Sequence, residues 1–401
     1  MAQLEADDPH SVGGYRLLSR LGAGGMGRVY LARSEGGRTV AVKLIKRELA
    51  AEQEFRSRFR LEVEAARRVG QRWTAPVLDA DTEAEAPWVA TGYIAGPSLE
   101  QVISSRMQAG SGSAGGSSTQ AEAGDGGQGP LPEHSIRTLA YGLASALLDI
   151  HGAGVVHRDL KPSNVLVTID GPRVIDFGIV RALDALPDST VTGTGVIVGS
   201  PSYMSPEQIR AQPVTQASDV FCMGSVLAYA ATGRTPFAGD GGGLHAVMFR
   251  IASEEPDLEG IEEPLRGLIA SCLAKDPADR PAPEDVIAGV QPISTGKASA
   301  PWLPATLIAE LGRHAVQLLD TDTPPSGSGP PPGVPARPPA GSPPASESQT
   351  SALPRPTTHE LEPRPAPRRP RRRLAIGVLA AVVVAGVAFA ASGAELPLLG
   401  G

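Results

Sequence analysis

Between positions 157 and 178 the chain concentrates side chains that could do chemistry. The run His157-Arg158-Asp159-Leu160-Lys161-Pro162-Ser163-Asn164 is followed, after the largely apolar stretch VLVTIDGPRVI, by Asp176-Phe177-Gly178. Two carboxylates, an amide, a lysine and a histidine thus bracket one short strand-like segment. A structural turn has no need of that combination. Phosphoryl transfer does: one carboxylate orients a hydroxyl and accepts its proton, while further oxygen ligands hold Mg²⁺.

Two upstream segments could serve the same reaction. LGAGGMGRVY carries Gly22, Gly24 and Gly27 in G-x-G-x-x-G order. Alone this is a weak signal, because a dinucleotide-binding turn has the same spacing. That turn, however, requires a helix straight after the glycines, whose N-terminus receives the pyrophosphate. Here RVYLARS is strand-like, so the loop reads as a hairpin whose bare backbone can lie over phosphates. Val40-Ala41-Val42-Lys43 then places a lysine on an otherwise apolar strand, where a buried ammonium needs an anion close by. Glu62, nineteen residues later in a helical stretch, is a suitable partner. From these two residues alone, a salt bridge and a coincidence weigh equally.

The elements that must position these groups follow from periodicity. Residues 15–22, 28–34 and 39–45 are short β-branched or aromatic runs separated by Gly clusters, which predicts an antiparallel meander. Residues 55–69 have helical spacing through Phe55, Phe59, Val63 and Ala66, and residues 132–154 carry an apolar stripe ending in glycine. Strands first and helices later predict a two-lobed α+β fold rather than repeating βαβ units.

The Gly-rich loop, VAVK, HRDLKPSN, DFG, SPE and DPADRP occur in the order and spacing of the protein-kinase superfamily. Over residues 15–290 the chain resembles the bacterial membrane-anchored Ser/Thr kinases of eukaryotic (Hanks) type. The resemblance implies a bilobal protein-kinase fold: an antiparallel-sheet N-lobe with one helix over about 15–94, and a mainly helical C-lobe over about 95–290. It implies transfer of the γ-phosphate of ATP to Ser and Thr hydroxyls of protein substrates, the chain's own activation loop included, with Mg²⁺, or Mn²⁺ in its place, as the metal.

Position by position, the resemblance puts Leu21, Gly22, Ala23, Gly24, Gly25, Met26, Gly27, Arg28, Val29 and Ala41 around the nucleotide, with Gly22 to Val29 over its phosphates. Lys43 would pair the α- and β-phosphates and Glu62 would hold Lys43. Thr91 would be the gatekeeper, and Gly92, Tyr93 and Ile94 the hinge that binds adenine through backbone groups. Gly92 departs from the acidic residue frequent there. Asp159 would be the catalytic base, Lys161 would lie by the transferred phosphate, and Asn164 and Asp176 would ligate the metal. Glu207 with Arg280, Asp219, His157 and Phe177 would be scaffold. Thr192 and Thr194 match autophosphorylated positions, where a phosphate would be paired by Arg158 and Arg181. The alternative, a pseudokinase acting as a nucleotide-binding scaffold, predicts loss of Lys43, Asp159 or Asp176; all three are present.

Composition sets the surroundings. With 41% hydrophobic and 20% charged residues the chain is neither collagen-like, wholly disordered nor polytopic. Cys222 and Cys272 lie far apart in apolar stretches, so no disulfide framework is expected. Of 47 Gly and 38 Pro, eight Gly fall in residues 110–129 and sixteen Pro in 324–370. These segments predict a flexible insertion over about 108–130 and a Pro-rich basic linker over 324–373. Residues 1–14 read as an N-terminal extension. Residues 291–323 read as a short helical segment that either packs on the C-lobe or assists association. The 18-residue uncharged run 374–391 predicts one transmembrane helix, about 27 Å long. Arginines crowd its N-terminal side, so the expected location is the cell membrane, single-pass, with the kinase domain cytoplasmic and residues 392–401 a short outer tail. Those arginines would attract anionic lipid. Residues 1–320 are net acidic, which argues against nucleic-acid binding. A second copy of the chain is a further candidate partner.

Overall fold

The computed structural model describes residues 2–111, 129–177, 201–239, 241, 243–290 and 301–321. Thr192, Thr194, Arg181, the linker and the apolar run 374–391 lie outside the described residues.

The predicted meander forms and is extended at both edges. Strands β1 (Ser11–Val12), β2 (Tyr15–Gly24), β3 (Gly27–Arg33) and β4 (Thr39–Ile45) join β5 (Val77–Asp81) and β6 (Trp88–Gly92) in one antiparallel sheet of order β1-β2-β3-β4-β6-β5. The period of two divides its residues between two faces. Tyr30, Ala32, Val40, Val42 and Ala90 are buried in a small core on one face. Ala41 and Lys43 therefore emerge on the other. After a short α1 (Arg47–Ala50), α2 (Gln53–Ala66) buries Phe55, Phe59, Val63 and Ala66, the stripe its spacing predicts. It stops short of residue 69 because Arg68 and Val69 bond three residues back, to Ala65 and Ala66, which tightens and ends the turn.

The C-lobe comprises α3 (Leu99–Ser111), α4 (Glu133–Gly152), the hairpin β7 (Val165–Thr168) and β8 (Gly171–Val174), and then α5 (Pro206–Ile209), α6 (Gln216–Thr232), α7 (Leu244–Ser253), α8 (Leu265–Cys272) and α9 (Pro283–Val290). Helix α6 is buried almost all round from Ser218 to Ala228, as a central helix must be. Gly142 of α4 lets β8 approach, since a Cβ there would lie 2.4 Å from Pro172 Cγ. That contact seats the hairpin whose two ends carry Asn164 and Asp176. Helix α3 runs to Ser111, so residues 108–111 belong to the helix rather than to the expected insertion. Arg106 donates to the carbonyls of Gly129 (2.8 Å) and Pro130 (3.3 Å), fixing where the chain re-enters α4.

Of the two alternatives for the segment after the last kinase motif, packing on the C-lobe is what the fold shows. Helix α10 (Ala305–Thr321) follows Trp302, whose Nε1 donates to the carbonyls of Thr168 and Ile169 at 3.1 Å each. Leu303 and Leu307 are buried beside it, and Ser135 of α4 donates to the Trp302 carbonyl. Among the described residues no helix is long and apolar enough to cross a membrane.

Candidate active site

The sheet and the β7–β8 hairpin enclose a cavity of about 500 Å³. Of the residues expected at a nucleotide, Leu21, Gly22, Val29, Ala41, Lys43, Thr91, Tyr93, Ile94, Asn164 and Asp176 line it. Ala23, Gly24, Gly25, Met26, Gly27 and Arg28 do not; they form the tip and outer face of the β2–β3 hairpin that roofs it. Gly27 is required there by close approach, since a Cβ would meet the Leu44 carbonyl oxygen at 2.1 Å.

Sequence reasoning missed several lining residues. Val89, Leu166 and Ile175 supply apolar walls, and Glu100 with Gln101 a polar edge from α3. Leu166 was legible from period two: Val165 and Val167 are fully buried, so the residue between them turns to the opposite face. The hinge glycine also acquires a reason. Gly92 N–H donates to the Pro76 carbonyl at 2.9 Å, and a Cβ would press on the Pro76 ring at 3.1 Å.

Lys43 sits between Val29 and Val89 in the ladder, and its Nζ lies 3.3 Å from Asp176 Oδ2. The expected Lys43–Glu62 ion pair is not formed. Glu62 Oε1 instead lies 3.7 Å from Arg158 Nη1. Each charge has a nearer counter-ion in this arrangement, with Asp176 taking the ammonium and the Arg158 guanidinium taking the glutamate. The resemblance paired Lys43 with Glu62; the structure pairs Lys43 with Asp176 and Glu62 with Arg158 instead.

Asp159, Lys161 and Asn164 form one polar cluster, of which Asn164 lines the cavity while Asp159 and Lys161 do not. Lys161 Nζ is 2.9 Å from Asp159 Oδ2, and Asn164 Nδ2 donates to the Asp159 carbonyl (2.8 Å) and carboxylate (3.3 Å). The amide nitrogen is thereby committed, which leaves the Asn164 oxygen as its acceptor atom.

The loop carrying this cluster is held from below. Buried Asp219 accepts N–H bonds from His157 and Arg158, both 2.8 Å, and its Oδ2 lies 2.7 Å from His151 Nε2. Arg158 (φ 65°) and Asp176 (φ 57°) both occupy the left-handed region, which costs a non-glycine residue about 1 kcal/mol or more and persists only where surroundings enforce it. Gln208 completes the grip by donating to the Arg158 carbonyl at 2.8 Å. Its own helix is fixed by a capping box with Ser205 and by the bidentate Glu207–Arg280 pair (2.7 and 2.9 Å). Complete burial pushes the His157 imidazole down from its ordinary value, so it packs as a neutral ring 6.4 Å from that of Phe177. The expected scaffold residues are therefore scaffold.

Residues 15–289 match the protein kinase domain family. The chain is 46% identical over 332 residues to the serine/threonine-protein kinase AfsK of Streptomyces coelicolor, covering 80% of this chain and 38% of that protein. It is 47% identical over 322 residues to AfsK of Streptomyces griseus (78% and 36%), and 45% identical over 309 residues to the probable serine/threonine-protein kinase PkwA of Thermomonospora curvata (77% and 38%). The chain thus spans less than two-fifths of the length of each of these relatives. Fold, cavity and matched family agree: the chain belongs to the protein kinase domain family.

Proposed function

We propose that the chain is an active Ser/Thr protein kinase that transfers the γ-phosphate of ATP to Ser and Thr hydroxyls of proteins. The carrying observation is that Asn164, which lines the cavity together with the Lys43–Asp176 pair, also donates to Asp159, whose carboxylate pairs with Lys161, so that all five groups are linked at or next to one cavity. A pseudokinase scaffold would be free to lose any of these groups, and none is lost.

In this reading, adenine lies between Val29 and Ala41 above and Leu166 below, with Thr91 at the back and the backbone of Tyr93 and Ile94 at its edge. Lys43 takes the phosphates. Asp159 orients the substrate hydroxyl and accepts its proton, while Lys161 balances charge on the transferred group. The Asn164 oxygen and the Asp176 carboxylate are a hard-oxygen donor set that suits Mg²⁺, and Mn²⁺ equally. Bound there, the metal would neutralise charge building on the phosphates. Because Lys43 and Asp176 now neutralise each other, both are released to these tasks together.

The Arg158–Glu62 contact supports activation by autophosphorylation. A phosphate on Thr192 or Thr194 would compete with Glu62 for Arg158 and so change the charges around Glu62. The basic linker and the uncharged run 374–391 support tethering at the cell membrane, kinase domain inward, with anionic lipid at the arginines. A second copy of the chain is the partner for activation-loop phosphorylation in trans. Incubating the chain with labelled ATP and Mg²⁺ tests the reading: label enters the protein and a Ser/Thr-rich substrate, and its absence overturns the assignment.

A further inference from the structure

Residues 2–12 precede the matched family domain, yet they are built onto the back of the Gly-rich hairpin. Ala2 and Arg20 exchange both backbone hydrogen bonds, at 3.0 and 2.9 Å, and β1 pairs with β2. Between these two attachments the chain carries Asp8 beneath the hairpin, its side chain fully buried. The Asp8 carboxylate accepts from Arg20 Nε (2.6 Å) and Nη2 (2.8 Å), Arg28 Nη1 (3.1 Å), Tyr30 Oη (2.6 Å) and the Glu5 N–H (2.8 Å). Asp7 adds bonds from Arg28 (2.7 Å) and Arg20 (3.1 Å), and Glu5 also pairs with Arg20. The arginine contacts hold the Asp8 carboxyl well below the usual carboxylate range despite its burial.

The strand register shows what this cluster grips. Arg20 stands opposite Tyr30 and Ala23 opposite Arg28, with an irregularity between Arg20 and Gly22. Arg28 and Tyr30, two residues apart, share one face of β3, and Val29 takes the other. Val29, Gly22 and Leu21 line the cavity, whereas Arg28, Tyr30 and Arg20 reach Asp8. Asp8 thus holds both strands from the side opposite the nucleotide, at the root of a hairpin whose tip is Gly24 to Gly27. A two-stranded ribbon rich in glycine is only marginally ordered by itself, and ordering it on binding would weaken affinity.

We propose that Asp8 is a positioning residue for the nucleotide: by clamping Arg20, Arg28 and Tyr30 from behind, it fixes the height of the Gly-rich hairpin over the cavity. The proposal rests on the nucleotide reading of that cavity.

The test uses the full chain and two readouts, the Kd of a fluorescent ATP analogue with Mg²⁺ and the split of phosphoryl transfer into KM and kcat. Asp8→Asn raises Kd and KM for nucleotide about fivefold or more, with kcat within about twofold, because only the pre-ordering of the roof is lost. Tyr15→Phe, which removes a contact to Asp79 in the same sheet, leaves Kd unchanged and controls for general loosening of the lobe. Asp7→Asn keeps the buried carboxylate and carries the test should Asp8→Asn fail to fold; it raises Kd about twofold. Wild-type Kd in the folded Asp8→Asn protein, or in Asp7→Asn when only that variant folds, overturns the clamp, as does an equal rise in Tyr15→Phe. Binding without phosphoryl transfer overturns the kinase reading alone, whereas no binding by the wild type overturns both.

Discussion

Arg280 offers the sharpest quantitative test of what holds the catalytic loop. Its side chain is fully buried, and all five guanidinium N–H groups are used. Two go to the Glu207 carboxylate and three to the carbonyls of Ala217, Ala274 and Lys275, at 2.7–3.2 Å. Arg280→Met leaves Glu207 buried without its counter-charge, a loss of about 3–5 kcal/mol. Adding Glu207→Leu recovers only part of this, because three carbonyls stay unsatisfied. The pH dependence gives an independent sign. Burial alone would raise the Glu207 pKa, but the bonds from Arg280 and Ser218 outweigh it and hold the carboxyl at about 2 against an ordinary 4.5. A folded pKa below the unfolded one stabilises the fold above the unfolded value, and the contribution is lost as pH falls toward the folded one. Urea unfolding of the wild type and Glu207→Gln at several pH values should therefore show a stability gap that is full at pH 6–7 and shrinks between about 5 and 2. A gap constant from pH 7 to 3 would refute the pairing as the source of stability.

Three further outcomes follow from the same contacts. Asp219→Ala orphans the N–H groups of His157 and Arg158, at about 1–3 kcal/mol each, and should abolish transfer while nucleotide still binds by fluorescence titration. Trp302→Phe removes the indole bonds to Thr168 and Ile169 and should lower stability by about 1 kcal/mol in urea unfolding, with KM for ATP unchanged. Thr192→Ala combined with Thr194→Ala should lower activity and phosphate content by mass spectrometry; wild-type values in both would remove these threonines from regulation.

Much of the fold was legible because local signals agreed. Gly clusters punctuate β-branched runs at 15–45, and the stripe Phe55, Phe59, Val63 and Ala66 is buried as its spacing requires. Residues 2–12 were not legible, since MAQLEADDPH has no apolar period and is placed by charge matching to Arg20 and Arg28, which are far from it in sequence. The active-site groups were legible as types at fixed spacing. Their pairing was not: Lys43 meets Asp176 and Glu62 meets Arg158, a choice that depends on conformation and not on spacing. Glu100 and Gln101 escaped because they line the cavity from a helix with no chemical motif of its own.

The central claim is that Asp159 serves as the base of a phosphoryl transfer for which the rest of the fold holds the reactants. Asp159→Asn keeps the side chain's size and its place beside Lys161 and Asn164, so the structure should survive and nucleotide should bind with wild-type Kd. With labelled ATP and Mg²⁺, the wild-type chain should label itself and the Asp159→Asn chain should not. Equal labelling of the two would contradict the account.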